Sequence, residues 1–326
     1  MNNLSISKPI YAISPHRFCT DGFGVTTLVA LYGCPLHCKW CINPRSQHTP
    51  KDARRLTPQE LYDEVKHDDI LFRATSGGVT FGGGEPCLYP DFIEEFSNLC
   101  SPDWNIRIET SLNVPTENVL SLLPVIDEWL VDIKLWDVKK YKDYTGKEND
   151  LVLQNLEHLL SIQEKVVVRV PIIEGFCDES EANQTKQFLC KLGFNDVQQY
   201  LYKDPKNIVV NRKWDCSAIR KVRLEIAKQN GIEIDDPECK NSFCYTGTCE
   251  NCENQLKKLE TKLNDLVEYE VKLDNFILGQ TLFFNGNSGE FCYFKKSWGY
   301  VLNNSKENCD KFFNIDEIKF PLGGFS

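Results

Sequence analysis

Six short runs of near-continuous apolar and β-branched residues constrain this chain more than any other feature. They are TTLVALY (26–32), GVTF (78–81), NIRIET (105–110), EWLVDIKL (128–135), KVVVRVPII (165–173) and VQQYLY (197–202). Between them lie segments with helical apolar spacing. The first opens at Thr57-Pro58, with Glu60 placed to close a capping box. The others are 89–100, 115–123, 149–162, 180–192 and 214–230. Strands that are apolar on both faces and separated by helices make βαβ units, and so a parallel sheet covered by helices. Six units predict a barrel or part of one, with chemistry at the carboxyl ends of the strands. No internal repeat or low-complexity tract interrupts the pattern.

After Ile234 the pattern changes. DDPECKNSFCYTGTCENC is a cysteine-rich turn region, followed by a helical stripe of Leu256, Leu259, Leu263 and Leu266. TLFF and EFCYF then flank NGNSG, which predicts a hairpin. Two domains are expected, 1–235 as the α/β barrel and 236–326 as a small cysteine-rich α+β C-terminal module. Two heptads of leucine are too few for a coiled coil, so the stripe is read as ordinary packing.

Composition narrows the function. Hydrophobic residues are 41% of the chain, enough for a sizeable core. The net charge of −10 argues against indiscriminate binding of nucleic acid or an anionic membrane. No apolar run approaches the roughly 18 residues of a spanning helix, and MNNLSISKPIYAIS lacks a secretory layout. A cytoplasmic protein is expected. Fifteen cysteines against five histidines then read as thiol or metal chemistry rather than a disulfide scaffold.

CPLHCKWC (34–41) places Cys34, Cys38 and Cys41 at C-x3-C-x2-C directly after a strand. Structural zinc takes four protein ligands. Three thiolates leave one position open, which suits a cubane cluster with one iron free for a substrate; His37 inside the loop is the alternative fourth ligand. TFGGGEP (80–86) ends the next strand, where glycines permit close approach to the backbone and Glu85 offers a carboxylate. Taken alone, that run reads equally well as a tight turn.

On consecutive strands the two motifs resemble the radical S-adenosylmethionine (SAM) superfamily. The resemblance implies a [4Fe–4S] cluster on Cys34, Cys38 and Cys41, with SAM on its open iron. It also implies Gly83, Gly84 and Glu85 at the SAM amino group and Trp40 against the adenine. Over about residues 11–235 it narrows to the activating enzymes of glycyl-radical enzymes, such as the pyruvate formate-lyase activase. DGFGVTTLVALYGCPLHCKWCINP is similar to the family opening "DGPGxRTxxFLxGCPLRCxWCxNP". ETS (109–111), DIK (132–134), YTGKENDLVLQNL (144–156) and VVRVPIIEGFCDE (167–179) follow in the family's order. By position, Asp132 and the catalytic Lys134 would touch the SAM carboxylate, and Glu109 and Thr110 would lie near the SAM site. Arg169 would neutralise that carboxylate; without SAM a buried arginine needs an acid, and Asp132 can serve. The implied partners are a reductant such as flavodoxin or ferredoxin and a glycyl-radical enzyme.

Two departures stand out. The family's DGPGxR reads Asp21-Gly22-Phe23-Gly24-Val25-Thr26 here, and the late strand, where many members carry a histidine, reads YLYKDPKN with Lys203 nearby. No cysteine lies between Cys41 and Gly82, so a two-cluster ferredoxin insert is absent there. Outside the resemblance, Cys239, Cys244, Cys249 and Cys252 suit one auxiliary [4Fe–4S] cluster or one zinc. The hairpin aromatics Phe283, Phe284, Phe291, Tyr293 and Phe294 are expected to dock the protein partner or to pack into the module's own core. Glycine hydrogen abstraction is the leading function. A ribosomal peptide or small molecule as substrate is the first alternative, and an iron–sulfur electron carrier the second.

Overall fold

The computed structural model describes residues 7–18, 21–202, 213–236, 250–273, 282–285, 290–294 and 300–302. In chain order its elements begin with β1 (Lys8–Phe18), β2 (Val25–Leu31), β3 (Arg55–Leu56), α1 (Pro58–Val65), α2 (Asp69–Thr75), β4 (Gly78–Gly83) and α3 (Pro90–Ser97). Then come β5 (Asn105–Thr110), α4 (Thr116–Leu122), β6 (Glu128–Asp132), α5 (Val138–Thr145), α6 (Asp150–Leu159) and β7 (Val166–Ile173). The last are α7 (Glu179–Leu192), β8 (Asp196–Tyr202), α8 (Lys213–Gln229), α9 (Glu250–Asn264), β9 (Leu282–Asn285), β10 (Glu290–Phe294) and β11 (Tyr300–Leu302).

All six expected strands form, and each pairs in parallel with the next: β2, β4, β5, β6, β7, β8. The sheet order is β3-β1-β2-β4-β5-β6-β7-β8, so it is an open (β/α)6 arc rather than a closed barrel. Two antiparallel strands that the sequence pattern hides, β1 and β3, extend one edge. β1 contains Pro9 and Pro15 and shifts register twice against β2, which suits a strand near the edge. The capping box forms as expected, with Thr57 accepting from the Glu60 N–H and the Glu60 carboxylate from the Thr57 N–H at 2.8 Å.

Side-chain alternation divides the sheet into two faces. Val79, Phe81, Ile106, Ile108, Trp129, Val131, Val166 and Val168 point outward into one large hydrophobic cluster beneath the helices. There Phe81 meets Phe92 and Phe96 of α3 edge-on, each ring contributing about 1.5–3 kcal/mol by burial. The inner face mixes apolar side chains, Leu28 and Ala30 of β2 and a small separate cluster of Leu130, Val167 and Phe23, with polar ones. The charged groups of the concave side, Glu109, Asp132 and Arg169, gather toward the strand ends where the site lies.

On the C-terminal side of the expected boundary, α9 lays Leu256, Leu259 and Leu263 into the barrel's own hydrophobic cluster. Leu273 N–H donates to Ala74 O at the end of α2, 3.1 Å. β9 and β10 pair antiparallel and β11 completes a three-stranded sheet, while residues 286–289 of the expected turn lie outside the described residues. No helix among the described residues is long and apolar enough to cross a membrane.

Candidate functional site

The three-cysteine loop leaves the end of β2 and is held from two sides. From one, Gly33 N–H donates to Ser46 O at 2.7 Å. From the other, the end of α5 supplies acceptors: His37 N–H to Thr145 O at 2.8 Å and Lys39 N–H to Tyr144 O at 2.9 Å. The Tyr144 hydroxyl in turn donates to Trp40 O at 2.8 Å. Leu36 is buried at the loop's centre, while Cys34, Cys38 and Cys41 stay partly exposed. Trp40 packs half-buried against the main core. His37 is exposed, its ring 5.7 Å from that of His48.

Burial, reinforced by Glu85, pushes the Cys34 thiol up to about 12. Burial likewise pushes Cys38 up to about 11, although the nearby Lys134 ammonium pulls it down. Such thiols stay protonated at neutral pH on their own, so a metal centre on this loop would have to displace their protons. Among the described residues no three His, Cys, Asp or Glu side chains converge tightly enough to share a single ion. The three thiols lie close enough to act on one another electrostatically, Cys38 and Cys41 both raising Cys34.

The glycine run brings the end of β4 against this loop. Gly84 N–H donates to Leu31 O at 2.9 Å and Glu85 N–H to Gly33 O at 2.7 Å. A Cβ on Gly84 would stand 2.2 Å from Gly33 O, and Gly83 adopts φ +89° with its Cβ position 2.6 Å from Ala30 Cβ. These glycines are thus required by the neighbouring strand itself, in addition to any ligand. Glu85 is 1% exposed. Its Oε1 accepts from Thr110 Oγ1 (2.7 Å) and Cys87 N–H (3.2 Å), and its Oε2 from Ser111 N–H (2.9 Å) and Oγ (2.7 Å). The carboxylate is therefore fully engaged as a joint between the ends of β4 and β5, and Thr110 is buried within that joint.

Deeper on the concave side the expected charged residues meet. Arg169 Nε donates to Asp132 Oδ1 at 2.8 Å and Nη1 to Glu109 Oε1 at 3.0 Å, while Lys134 Nζ donates to Asp132 Oδ2 at 3.0 Å. The sequence anticipated Asp132 as the arginine's counter-ion; Glu109 is the second. Burial drives Asp132 upward, but Arg169 and Lys134 together overcome it and hold the carboxyl below its ordinary value. Burial raises Glu109, with Arg169 opposing and Asp21 and Asp132 reinforcing. Two acids interleaved with two bases suit a zwitterion, and the amino-acid end of SAM is one.

Two further features escaped the sequence reading. Tyr200 of β8 stands in this cluster, its hydroxyl pushed up to about 12 by burial and then by Asp132. The period of two along VQQYLY puts it on the concave face with Gln198, the signal that could have found it; Lys203 lies outside the described residues. The other is α5, whose Tyr141 and Tyr144 back the cysteine loop. Of the second cysteine group, Cys239, Cys244 and Cys249 lie outside the described residues. Cys252 is buried on α9 beside Arg223.

The family model described as the radical SAM superfamily matches residues 28–183, from β2 into α7. The indoleacetate decarboxylase activating enzyme of Tractidigestivibacter scatoligenes is 28% identical over 49% of this chain and 72% of its own length. The pyruvate formate-lyase 2-activating enzyme of Escherichia coli K12 is 28% identical over 66% of this chain and 87% of its own. The 4-hydroxyphenylacetate decarboxylase activating enzyme of Clostridioides difficile CD196 is 32% identical over 49% and 71%. With the three-thiol loop, the strand-end joint and the charged cluster on consecutive parallel strands, the chain belongs to the radical SAM superfamily, among the activating enzymes of glycyl-radical enzymes.

Proposed function

We propose that this protein abstracts a hydrogen atom from a glycine of a partner enzyme, leaving that enzyme with a glycyl radical. One juxtaposition carries the reading: Cys34, Cys38 and Cys41 stand beside the β4 end, with Glu109, Asp132, Lys134 and Arg169 on the same concave face. When bound, the [4Fe–4S] cluster and SAM supply one-electron cleavage of the sulfonium and a 5′-deoxyadenosyl radical. The chain's own residues do the rest. Cys34, Cys38 and Cys41 hold the cluster, and the Glu85 joint fixes Gly83 and Gly84 beside Cys34. Asp132, Lys134 and Arg169 orient the SAM carboxylate, Glu109 and Thr110 flank it, and Trp40 supports the adenine. The small-molecule and peptide readings have no comparable observation in their favour.

A low-potential reductant such as flavodoxin or ferredoxin would supply the electron, in the cytoplasm under anaerobic conditions. The division at 235/236, with the hairpin as the partner's docking surface, belongs to the same reading. Cys239, Cys244, Cys249 and Cys252 would hold an auxiliary [4Fe–4S] cluster, with zinc as the alternative. Of this group Cys252 alone is described, buried and facing Arg223, whose charge Asp236 already meets through both oxygens at 2.9 Å. About four extra irons per chain mark the cluster, and one zinc marks the alternative.

The test is anaerobic incubation with reductant, SAM and the glycyl-radical enzyme encoded nearest to this gene. A glycyl electron paramagnetic resonance doublet on the partner supports the reading. 5′-Deoxyadenosine formation with no doublet on any such partner moves the substrate to a peptide or small molecule.

A further inference from the structure

The charge of this chain is unevenly placed. Residues 34–55 carry five basic side chains (Lys39, Arg45, Lys51, Arg54, Arg55) and one acid (Asp52), a net of +4 in a chain whose net is −10. The basic side chains of this segment are all exposed, as are His37 and His48. The two side chains nearest to acids are already neutralised, Lys39 by Asp143 at 2.8 Å and Arg54 by Glu64. Arg45 and Lys51 pair with no carboxylate among the described residues, and Arg55 donates to the Ser7 carbonyl.

The segment contains the cysteine loop and continues from it toward the β1–β3 edge. Ser46, next to Arg45, accepts from Gly33 N–H immediately before Cys34, and His48 stands against His37 between Cys34 and Cys38. Arg54 O accepts from Ile10 N–H, which ties the segment to the β1–β3 edge of the sheet. The SAM-facing cluster of Glu109, Asp132 and Arg169 belongs to β5, β6 and β7 and includes none of these basic residues. The basic segment therefore adjoins the cysteine loop directly, so a carrier held on it would sit close to the cluster.

Resting on the function proposed above, we infer that this segment is the docking surface for a small acidic protein that delivers one electron to the cluster. An overall acidic chain repels an acidic carrier at long range, so a local positive patch both steers the encounter and selects the productive face. The step is a single electron transfer: the carrier is oxidised by one electron, the cluster is reduced by one, and no bond is made or broken.

The experiment uses the full reconstituted chain and a reduced acidic flavodoxin as the probe. Cluster reduction is followed anaerobically by stopped-flow absorbance across a salt series. The wild-type rate should fall steeply with ionic strength. Arg45→Glu combined with Lys51→Glu should slow it about tenfold or more at low salt. Reduction by dithionite, and the 5′-deoxyadenosine it yields, should not change in that variant. Equal flavodoxin rates in wild type and variant, independent of salt, overturn the docking surface while leaving the radical SAM reading intact. A variant reduced normally by flavodoxin but unable to label its partner under dithionite assigns the segment to the substrate protein and also overturns it. A wild-type chain that yields no 5′-deoxyadenosine even with dithionite removes the functional reading, and this inference with it.

Discussion

Replacing Glu85 with glutamine separates a structural joint from a ligand group. The four hydrogen bonds converging on Glu85 come from two backbone N–H groups and two hydroxyls, all within the ends of β4 and β5. Glutamine keeps one acceptor oxygen and turns the other into a donor. The hydroxyls of Thr110 and Ser111 can rotate to accept from it, but a backbone N–H, that of Cys87 or Ser111, cannot. One stranded buried N–H costs about 1–3 kcal/mol, and the loss of a charged acceptor weakens the remaining bonds by about 0.5–1 kcal/mol each. The sum is about 2–5 kcal/mol. With a urea slope of about 3 kcal/mol/M for a domain of this size, the unfolding midpoint should drop by about 1 M. The assay is urea unfolding of the iron-free protein without SAM, followed by circular dichroism. An unchanged midpoint with weakened SAM binding would refute the joint and make Glu85 a ligand group only.

Other predictions follow from the same geometry. Arg169→Lys replaces a fork that spans Asp132 and Glu109 with one ammonium that reaches a single acid; SAM affinity by anaerobic calorimetry should weaken about tenfold or more, and an unchanged value removes Arg169 from the site. Burial, against the pull of Arg107, pushes Glu128 up to about 7 from an ordinary 4.5. Its folded state therefore favours the protonated form, and the contribution to stability is full below about 4.5 and lost as pH rises through about 7. That is roughly 3 kcal/mol at most, and Glu128→Gln should flatten the decline in urea midpoint between pH 5 and 8, whereas curves parallel to wild type contradict it. Leu259 of α9 is fully buried, so Leu259→Ala should cost about 2–5 kcal/mol, while the exposed Lys258→Ala should be silent. Equal effects would mean that α9 does not pack on the barrel.

Legibility varied with the range of the interactions. The six parallel strands were readable because βαβ burial demands continuous apolar runs, and α1 because Thr57 and Glu60 announce its start. β1 was not, since Pro9 and Pro15 are strand breakers, tolerated here where only two-residue β3 pairs outside Pro9 and where the register against β2 shifts at Pro15. α5 was hidden by VKKYKDYT, a helix with few apolar residues whose Tyr141 and Tyr144 matter through the cysteine loop about a hundred residues earlier. The charged residues of the site were legible one by one, but their mutual engagement was not. Asp132 was foreseen as a partner of Arg169; Glu109 and Tyr200 join it through strand registers that sequence spacing does not specify. Glu85 shows the same limit: the motif marks the residue, whereas its four donors come from three separate positions, two of them on a different strand end.

The most direct test of the central claim is 5′-deoxyadenosine formation by anaerobically reconstituted protein supplied with dithionite and SAM. Wild type should form it. The variant with Cys34, Cys38 and Cys41 all changed to Ala should form none and should lose the iron held by that loop. Undiminished 5′-deoxyadenosine from the triple variant would contradict the account.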